Sequence, residues 1–180
     1  MPSFKTLHSE YLSRHPFFTA RKDGYETPDG KIVDPYFVVE IPVSVCAMAI
    51  TQNNEVILVE QYRHPIGQNI LELPGGFVDE GEQPAQAVAR ELLEETGYSF
   101  LTYHYLGITA ANPGLLNNFT HFFLATGGIR TADQSLDANE EITLQFTPLQ
   151  QVRKLLQQNK FVQSMHALCL FYGFQFLDKK

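Results

Sequence analysis

The chain has no tryptophan and only two cysteines, Cys46 and Cys169, and it is poor in charge, with 18% Asp, Glu, Lys and Arg. Two cysteines cannot build a disulfide framework. Cys46 sits in the apolar run Val43 to Ile50 and Cys169 in a run of Leu and Phe, so both read as small buried hydrophobes. A reducing cytoplasm is the location this predicts. Met1 to Pro16 lacks the apolar segment of an export signal. No stretch reaches the roughly 18 apolar residues of a membrane span. Basic charge is scarce too, with 13 Lys and Arg against 20 Asp and Glu and a net charge of -7. That excludes a nucleic-acid binder working through a broad basic face. It does not exclude a phosphate-bearing ligand, because bound divalent cations invert the local field. Neither nucleic acid nor a membrane is an expected partner.

Apolar material is plentiful, at 44% of 180 residues with 14 Phe and 8 Tyr, enough for a globular core. Met1 to Pro16 shows no period and reads as an arm, mobile or docked on a partner. Phe17 to Lys22 and Ile32 to Glu40 are β-rich and flank the turn signals Asp23-Gly24 and Thr27-Pro28-Asp29-Gly30, which predicts a hairpin. Residues 1–42 are thus an arm and β-hairpin extension, a candidate dimerisation element, and residues 43–180 the main domain. There, strands are predicted over Val43 to Thr51, Glu55 to Tyr62, Asn69 to Leu73, Tyr103 to Ala110, Phe119 to Thr126 and Ile142 to Thr147. Gly127 to Asn139 reads as a long polar loop of the kind that forms lids or binding sites. Helices are predicted over Pro148 to Gln158 and Ser164 to Leu177, the second apolar nearly all round and so buried.

The strongest helix is Pro84 to Thr96. Ala85, Val88, Ala89 and Leu92 form an apolar stripe, Pro84 suits the first turn, and Gly97 suits the left-handed C-terminal position. Around it the chain reads Gly76, five residues, Glu82, seven residues, Arg90-Glu91-Leu92, one residue, Glu94-Glu95, one residue, Gly97-Tyr98. Glu91, Glu94 and Glu95 share one helix face, and like charges at these spacings repel. A hard divalent cation with oxygen ligands is the natural compensation. Arg90 can grip a carboxylate through two donors. The competing reading of the helix alone is a solvated acidic face. Pro74-Gly75-Gly76, Glu82 and Gly97 at their spacings weigh against it.

This pattern resembles the Nudix box at every position, with Tyr98 where the family usually has an aliphatic residue. The resemblance implies an α/β fold, an α/β/α sandwich on a mixed β-sheet, here carrying the N-terminal β-hairpin extension. It implies Mg²⁺ as cofactor, with Mn²⁺ able to substitute, held by Glu91 and Glu95, by Glu94 directly or through water, and by the carbonyl of Gly75. Glu82 would brace the loop by pairing with Arg90. The cation would polarise a pyrophosphate and position or deprotonate an attacking water.

Glu60-Gln61-Tyr62-Arg63, Glu72-Leu73-Pro74-Gly75-Gly76 and Pro113 resemble the ADP-ribose pyrophosphatase group within that family. This implies cleavage of a nucleoside diphosphate sugar, ADP-ribose first, to AMP and ribose 5-phosphate. Another sugar nucleotide such as GDP-mannose, or a non-catalytic sensor, are the rivals, although a sensor would be expected to lose box glutamates. Arg63 would bind phosphates or the terminal ribose, the alternative being a surface ion pair. Tyr36 or Phe37 would stack on the base, the alternative being core packing. Asn112, Asn117 and Asn118 would hydrogen-bond substrate, the alternative being turn chemistry. His121 reads as a sheet-face histidine. A glutamate outside the box serves related enzymes as base, and Glu140, then Glu141, fits; Ala138 stands where the best-studied pattern has a second acid. The resemblance also implies a homodimer with exchanged N-terminal strands, as is common among related proteins.

Overall fold

The computed structural model describes residues 3–15, 18–138 and 140–179. Contacts gather the chain into two compact units, Met1–Pro42 with Ala110–Phe119, and Val43–Thr109 with Thr120–Lys180.

In the first unit β1 (Lys5–His15), β2 (Phe18–Glu26) and β3 (Ile32–Glu40) form one sheet in that order, both pairings antiparallel. The β2–β3 pair is the expected hairpin, and Gly30 closes its turn at φ 82°, a conformation costly for any residue with a Cβ. The aperiodic arm expected over Met1 to Pro16 is corrected: β1 is an eleven-residue strand. Nearly all of it is exposed, so no buried face imposes the two-residue alternation by which strands are recognised. Phe17, the expected start of the hairpin, lies outside the described residues.

The second unit contains β4 (Ser44–Thr51), β5 (Glu55–Arg63), β6 (Gln68–Glu72), β7 (Tyr98–Ser99), β8 (Thr102–Thr109), β9 (Thr120–Arg130) and β10 (Ile142–Pro148), with α1 (Pro84–Thr96), α2 (Leu149–Gln157) and α3 (Ser164–Leu177). The strands form one sheet of order β10-β5-β4-β9-β7, with β6 on β5 and β8 on β9. Among the described residues of this sheet only β4 and β9 run parallel, so the sheet is mixed. β4 lies at its centre and is apolar from Val45 to Ile50 because both of its faces are covered. Val45, Ala47 and Ala49 cluster with Ala87, Val88 and Leu92 of α1. Cys46, Met48 and Ile50 cluster with Val152 of α2 and Cys169, Leu170 and Phe174 of α3. Each large buried side chain contributes about 1.5–3 kcal/mol. The result is the expected α/β/α sandwich. α3 approaches β4 closely because position 173 is glycine; a Cβ there would lie 2.5 Å from Met48 Sδ.

Two further expectations are corrected. β9 continues to Arg130, and β7 pairs with its end, so Gly127 to Arg130 is strand rather than loop. The loop is correspondingly shorter, and Asn139 within it lies outside the described residues. α3 is not buried all round: Phe171 is 63% exposed, and the buried side is formed by Met165, Cys169, Leu170, Gly173 and Phe174. Among the described residues no helix is long and apolar enough to cross a membrane.

Candidate functional site

The segment before α1 is laid along β4. Val45 donates its N–H to the Gly76 carbonyl at 2.8 Å, Ala47 to the Pro74 carbonyl at 3.1 Å, and Val78 donates to the Val43 carbonyl at 2.8 Å. The carbonyl of Gly75 lies between two that β4 takes up. Gly75 has φ 151°, and a Cβ there would lie 2.2 Å from the Val45 carbonyl oxygen. Gln83 and Gln86 form a reciprocal capping box at the start of α1, with Pro84 in the first turn. Gly97 ends the helix at φ 73°, its N–H on the Leu93 carbonyl. The orphan carbonyls of that end are taken by the following loop: Ser135 N–H bonds Glu94 O, and the Gln134 amide bonds Glu95 O.

The apolar stripe of α1 is corrected. Ala85 is exposed and Ala87 buried, and the buried set is Ala87, Val88, Leu92, Glu95 and Thr96. At about 100° per residue Glu95 falls about 20° from Val88, in the middle of the core face. Glu95 therefore lies within the core face itself. It is 6% exposed, and its carboxylate accepts the Gly75 N–H at 2.8 Å.

Arg90 organises the other box carboxylates. Its Nε and Nη2 grip Glu82 at 3.0 and 2.9 Å, Nη1 reaches Glu91 and Glu94 at 2.9 Å each, and Nη2 also donates to the Phe77 carbonyl at 3.0 Å. These bonds engage all of the donors of a guanidinium. Glu82 is held below the usual carboxylate range by Arg90, and Arg90 is raised in turn. Gly76 makes room beside them, because a Cβ there would lie 2.5 Å from Glu91 Oε1.

Burial pushes Glu91 up, Arg90 opposes this, and the charges of Glu94 and Glu140 add to it. Burial pushes Glu95 up to about 8, the Gly75 N–H opposes this, and Glu91 and Glu140 add to it. The structure thus brings Glu140 into electrostatic reach of both box residues from the far end of the loop, with Glu140 Oε2 accepting the Asp137 N–H at 3.1 Å. Glu141 is exposed. Among the described residues no three ligand groups are gathered into a ready-made coordination sphere, since Arg90 draws Glu91 and Glu94 to itself. The donor set still fits a hard divalent cation: neighbouring carboxylates on one helix, one of them buried and pushed up by that burial, which positive charge would compensate.

Arg63 ends β5 and is 45% exposed, with Nε and Nη2 on one oxygen of Glu72 at 2.8 and 2.7 Å. Glu72 is 1% exposed, so this is not a surface ion pair. His166 of α3 lies on the other side: its Nδ1 accepts the Leu73 N–H at 3.1 Å and stands 3.8 Å from Glu72. Glu72 enters the sequence reading only as part of the motif before the glycines, with no role of its own, and His166 not at all. A glutamate closing an apolar strand and a histidine in the first turn of an apolar helix were the available signals. His121 is on the sheet face as expected, bonded to the Tyr105 hydroxyl at 3.1 Å.

The remaining candidates belong to the first unit. The Tyr36 hydroxyl donates to the Gly114 carbonyl at 2.8 Å, and its ring meets Tyr25 edge-on at 5.7 Å. Both rings, with Phe4, Thr6, Asp23 and Val38, line a cleft of about 290 Å³. Phe37 is the neighbouring strand residue, on the opposite face, and exposed. Asn117 Oδ1 accepts the Ile41 N–H at 3.0 Å, Asn118 reaches the Pro42 carbonyl, and the Asn112 carbonyl accepts from Leu115 and Leu116. Turn and docking chemistry is what these bonds serve. Pro113 is exposed in the same loop.

A family model of the NUDIX domain matches residues 40–168, and one of the nucleoside diphosphate sugar hydrolase N-terminal domain matches residues 4–39. The chain is 29% identical to the methanol dehydrogenase activator of Bacillus methanolicus over 93% of this chain and 91% of that one. It is 33% identical to an ADP-ribose pyrophosphatase of Mycobacterium tuberculosis over 90% of this chain and 79% of that one. The crystal structure of an ADP compounds hydrolase superposes with a TM-score of 0.85 over 98% of this chain and 95% of that one, and at 22% identity this is a likeness of fold. Since the matched span contains the whole glycine turn, the carboxylate-bearing helix and its αL glycine, the chain belongs to the NUDIX family of hydrolases.

Proposed function

We propose that this hydrolase cleaves the diphosphate linkage of a nucleoside diphosphate sugar, with ADP-ribose its preferred substrate and AMP and ribose 5-phosphate its products. The observation that carries the reading is the placement of the box carboxylates: Glu95 is buried against the Gly75 N–H, while Arg90 gathers Glu91 and Glu94 from the same helix. Such a cluster is suited to a divalent cation, here Mg²⁺ with Mn²⁺ able to replace it. Glu91, Glu95 and the Gly75 carbonyl hold it, with Glu94 direct or through water. When bound, the cation polarises the phosphoryl oxygens and makes water a better nucleophile.

The chain's own residues do the rest. Glu140, with Glu141 second, accepts the proton of the attacking water. Arg90, its donors engaged, orients Glu91 and Glu94. Arg63 donates to the phosphates or terminal ribose from its exposed side. Tyr36, or else Phe37, stacks on the base, and Pro113 and Asn117 shape the loop beside Tyr36. The aromatic cleft at Tyr36 and the relatives named for ADP-ribose support this assignment. Two copies pair through the N-terminal segment, residues 1–42, in which Phe4 is 69% and Leu12 54% exposed. The two buried free thiols suit a cytoplasmic location.

The test is incubation with ADP-ribose and Mg²⁺, with AMP measured, alongside a panel of sugar nucleotides ranked by kcat/KM. A higher kcat/KM for GDP-mannose would move the substrate assignment. Binding of ADP-ribose with no AMP formed would replace the enzyme with a sensor.

A further inference from the structure

We infer that His166 is a positioning residue, which fixes the guanidinium of Arg63 through Leu73 and Glu72. The inference rests on the reading of Arg63 as a phosphate- or ribose-binding group and deepens it.

Three elements meet at this point. Arg63 is the last residue of β5, Glu72 the last of β6, and His166 lies in the first turn of α3. Glu72 is 1% exposed, and its Oε2 alone receives both Nε and Nη2 of Arg63. A buried carboxylate oxygen held by two donors of one guanidinium fixes the position of that group. Arg63 is nevertheless 45% exposed, and its charge reaches Glu95. Its position therefore matters to whatever lies beside the box.

Glu72 can hold Arg63 only if its own strand end is held. Glu72 is paired with Val59 of β5, and just past this last pair His166 adds a bond from outside the sheet, its Nδ1 accepting the Leu73 N–H at 3.1 Å. An accepting Nδ1 requires the neutral imidazole with its proton on Nε2. The site favours that form, since burial holds His166 at about 3. His166 touches neither the box carboxylates nor the bonds that lay Pro74 and Gly76 on β4. Its influence passes through residues 72 and 73, one turn of chain before the glycines.

The variants that separate this from plain packing are His166→Leu and His166→Asn. Leucine fills the space but leaves the Leu73 N–H buried without a partner, whereas the asparagine oxygen can stand where Nδ1 stands. His166→Leu is expected to raise KM for ADP-ribose about tenfold, the worth of one charge-assisted hydrogen bond that a displaced Arg63 no longer makes to substrate. kcat should change less than about twofold, the signature of lost ground-state binding. His166→Asn should restore KM. In ¹⁵N-resolved NMR the Arg63 Nε–H should exchange slowly in the wild type and in His166→Asn, and fast in His166→Leu. Combined with Arg63→Ala, His166→Leu should add nothing further to KM. A lowered melting temperature with KM and Arg63 Nε–H exchange both unchanged would overturn the proposal, and so would additive effects with Arg63→Ala. If Arg63→Ala itself leaves KM unaltered while Arg63 Nε–H exchange still follows His166, the binding role of Arg63 fails and the positioning survives.

Discussion

Glu95 accepts the backbone N–H of Gly75 at 2.8 Å, so a carboxyl from the buried face of α1 is tied to the turn that precedes it. The bond favours ionised Glu95, but burial and the charges of Glu91 and Glu140 outweigh it.

Glu95→Gln should therefore separate activity from stability. With a folded pKa of about 8 against an ordinary 4.5, the unfolded chain ionises first as pH rises. The metal-free wild type is penalised progressively across that window, fully so above it. Glutamine removes the penalty and can still accept the Gly75 N–H. Metal-free Glu95→Gln is expected to melt at pH 8 no lower than the wild type while losing at least roughly a hundredfold in kcat. Mg²⁺ should raise the wild-type midpoint only. Scanning calorimetry with and without Mg²⁺ reads this, and wild-type turnover by the variant would remove Glu95 from the site.

The two glycines of the turn should behave differently. Gly75→Ala sets a Cβ 2.2 Å from the Val45 carbonyl, which is backbone at the sheet centre, so the fold should be destabilised strongly. Gly76→Ala meets the far end of the Glu91 side chain, which can turn aside. That variant should fold nearly as well as the wild type and need more Mg²⁺ for half-maximal rate. Urea titration and Mg²⁺-dependence measured side by side would expose equal losses, contrary to this view.

Arg90→Lys keeps the charge but loses the forked grip on Glu82 and the reach to Phe77 O. A cost of about 2 kcal/mol in urea unfolding is expected, with lower kcat, since Glu91 and Glu94 lose their common donor. Neutral behaviour in both assays would mean the network is a surface decoration.

His166 sets an acid limit. Burial, and then the charge of Arg63, keep its folded pKa at about 3 against an ordinary 6.5. The fold prefers the neutral ring, so this stability is complete above the ordinary value and drains away as pH falls towards the folded one. The free energy of unfolding should fall between about pH 6.5 and pH 3 with a shallower slope in His166→Asn. Parallel slopes in the two proteins would assign the acid loss elsewhere.

Most of the second unit was legible in the chain, because period and punctuation there agree with packing. α1 spans Pro84–Thr96 as its proline and its glycine predict, and α3 spans Ser164–Leu177. The spacing from Gly76 to Gly97 sufficed to mark the acidic helix. β1 was not legible, because an exposed strand has no core face to write an alternation into its sequence. Nor was the end of β9, where Gly127 and Gly128 read as a turn and instead let Leu101 and Phe100 pack against the strand.

What the residue order determined by itself was local: which segments coil, which extend, where the chain turns, and that Glu91, Glu94 and Glu95 recur at helical spacing. Only the tertiary structure decided that Glu95 is buried, that Arg90 collects Glu82, Glu91 and Glu94, that Glu140 comes near them, and that Glu72 and His166 stand behind Arg63. Protonation and hydrogen-bond geometry depend on which side chains share a low-dielectric space, and that sharing is set by long-range packing.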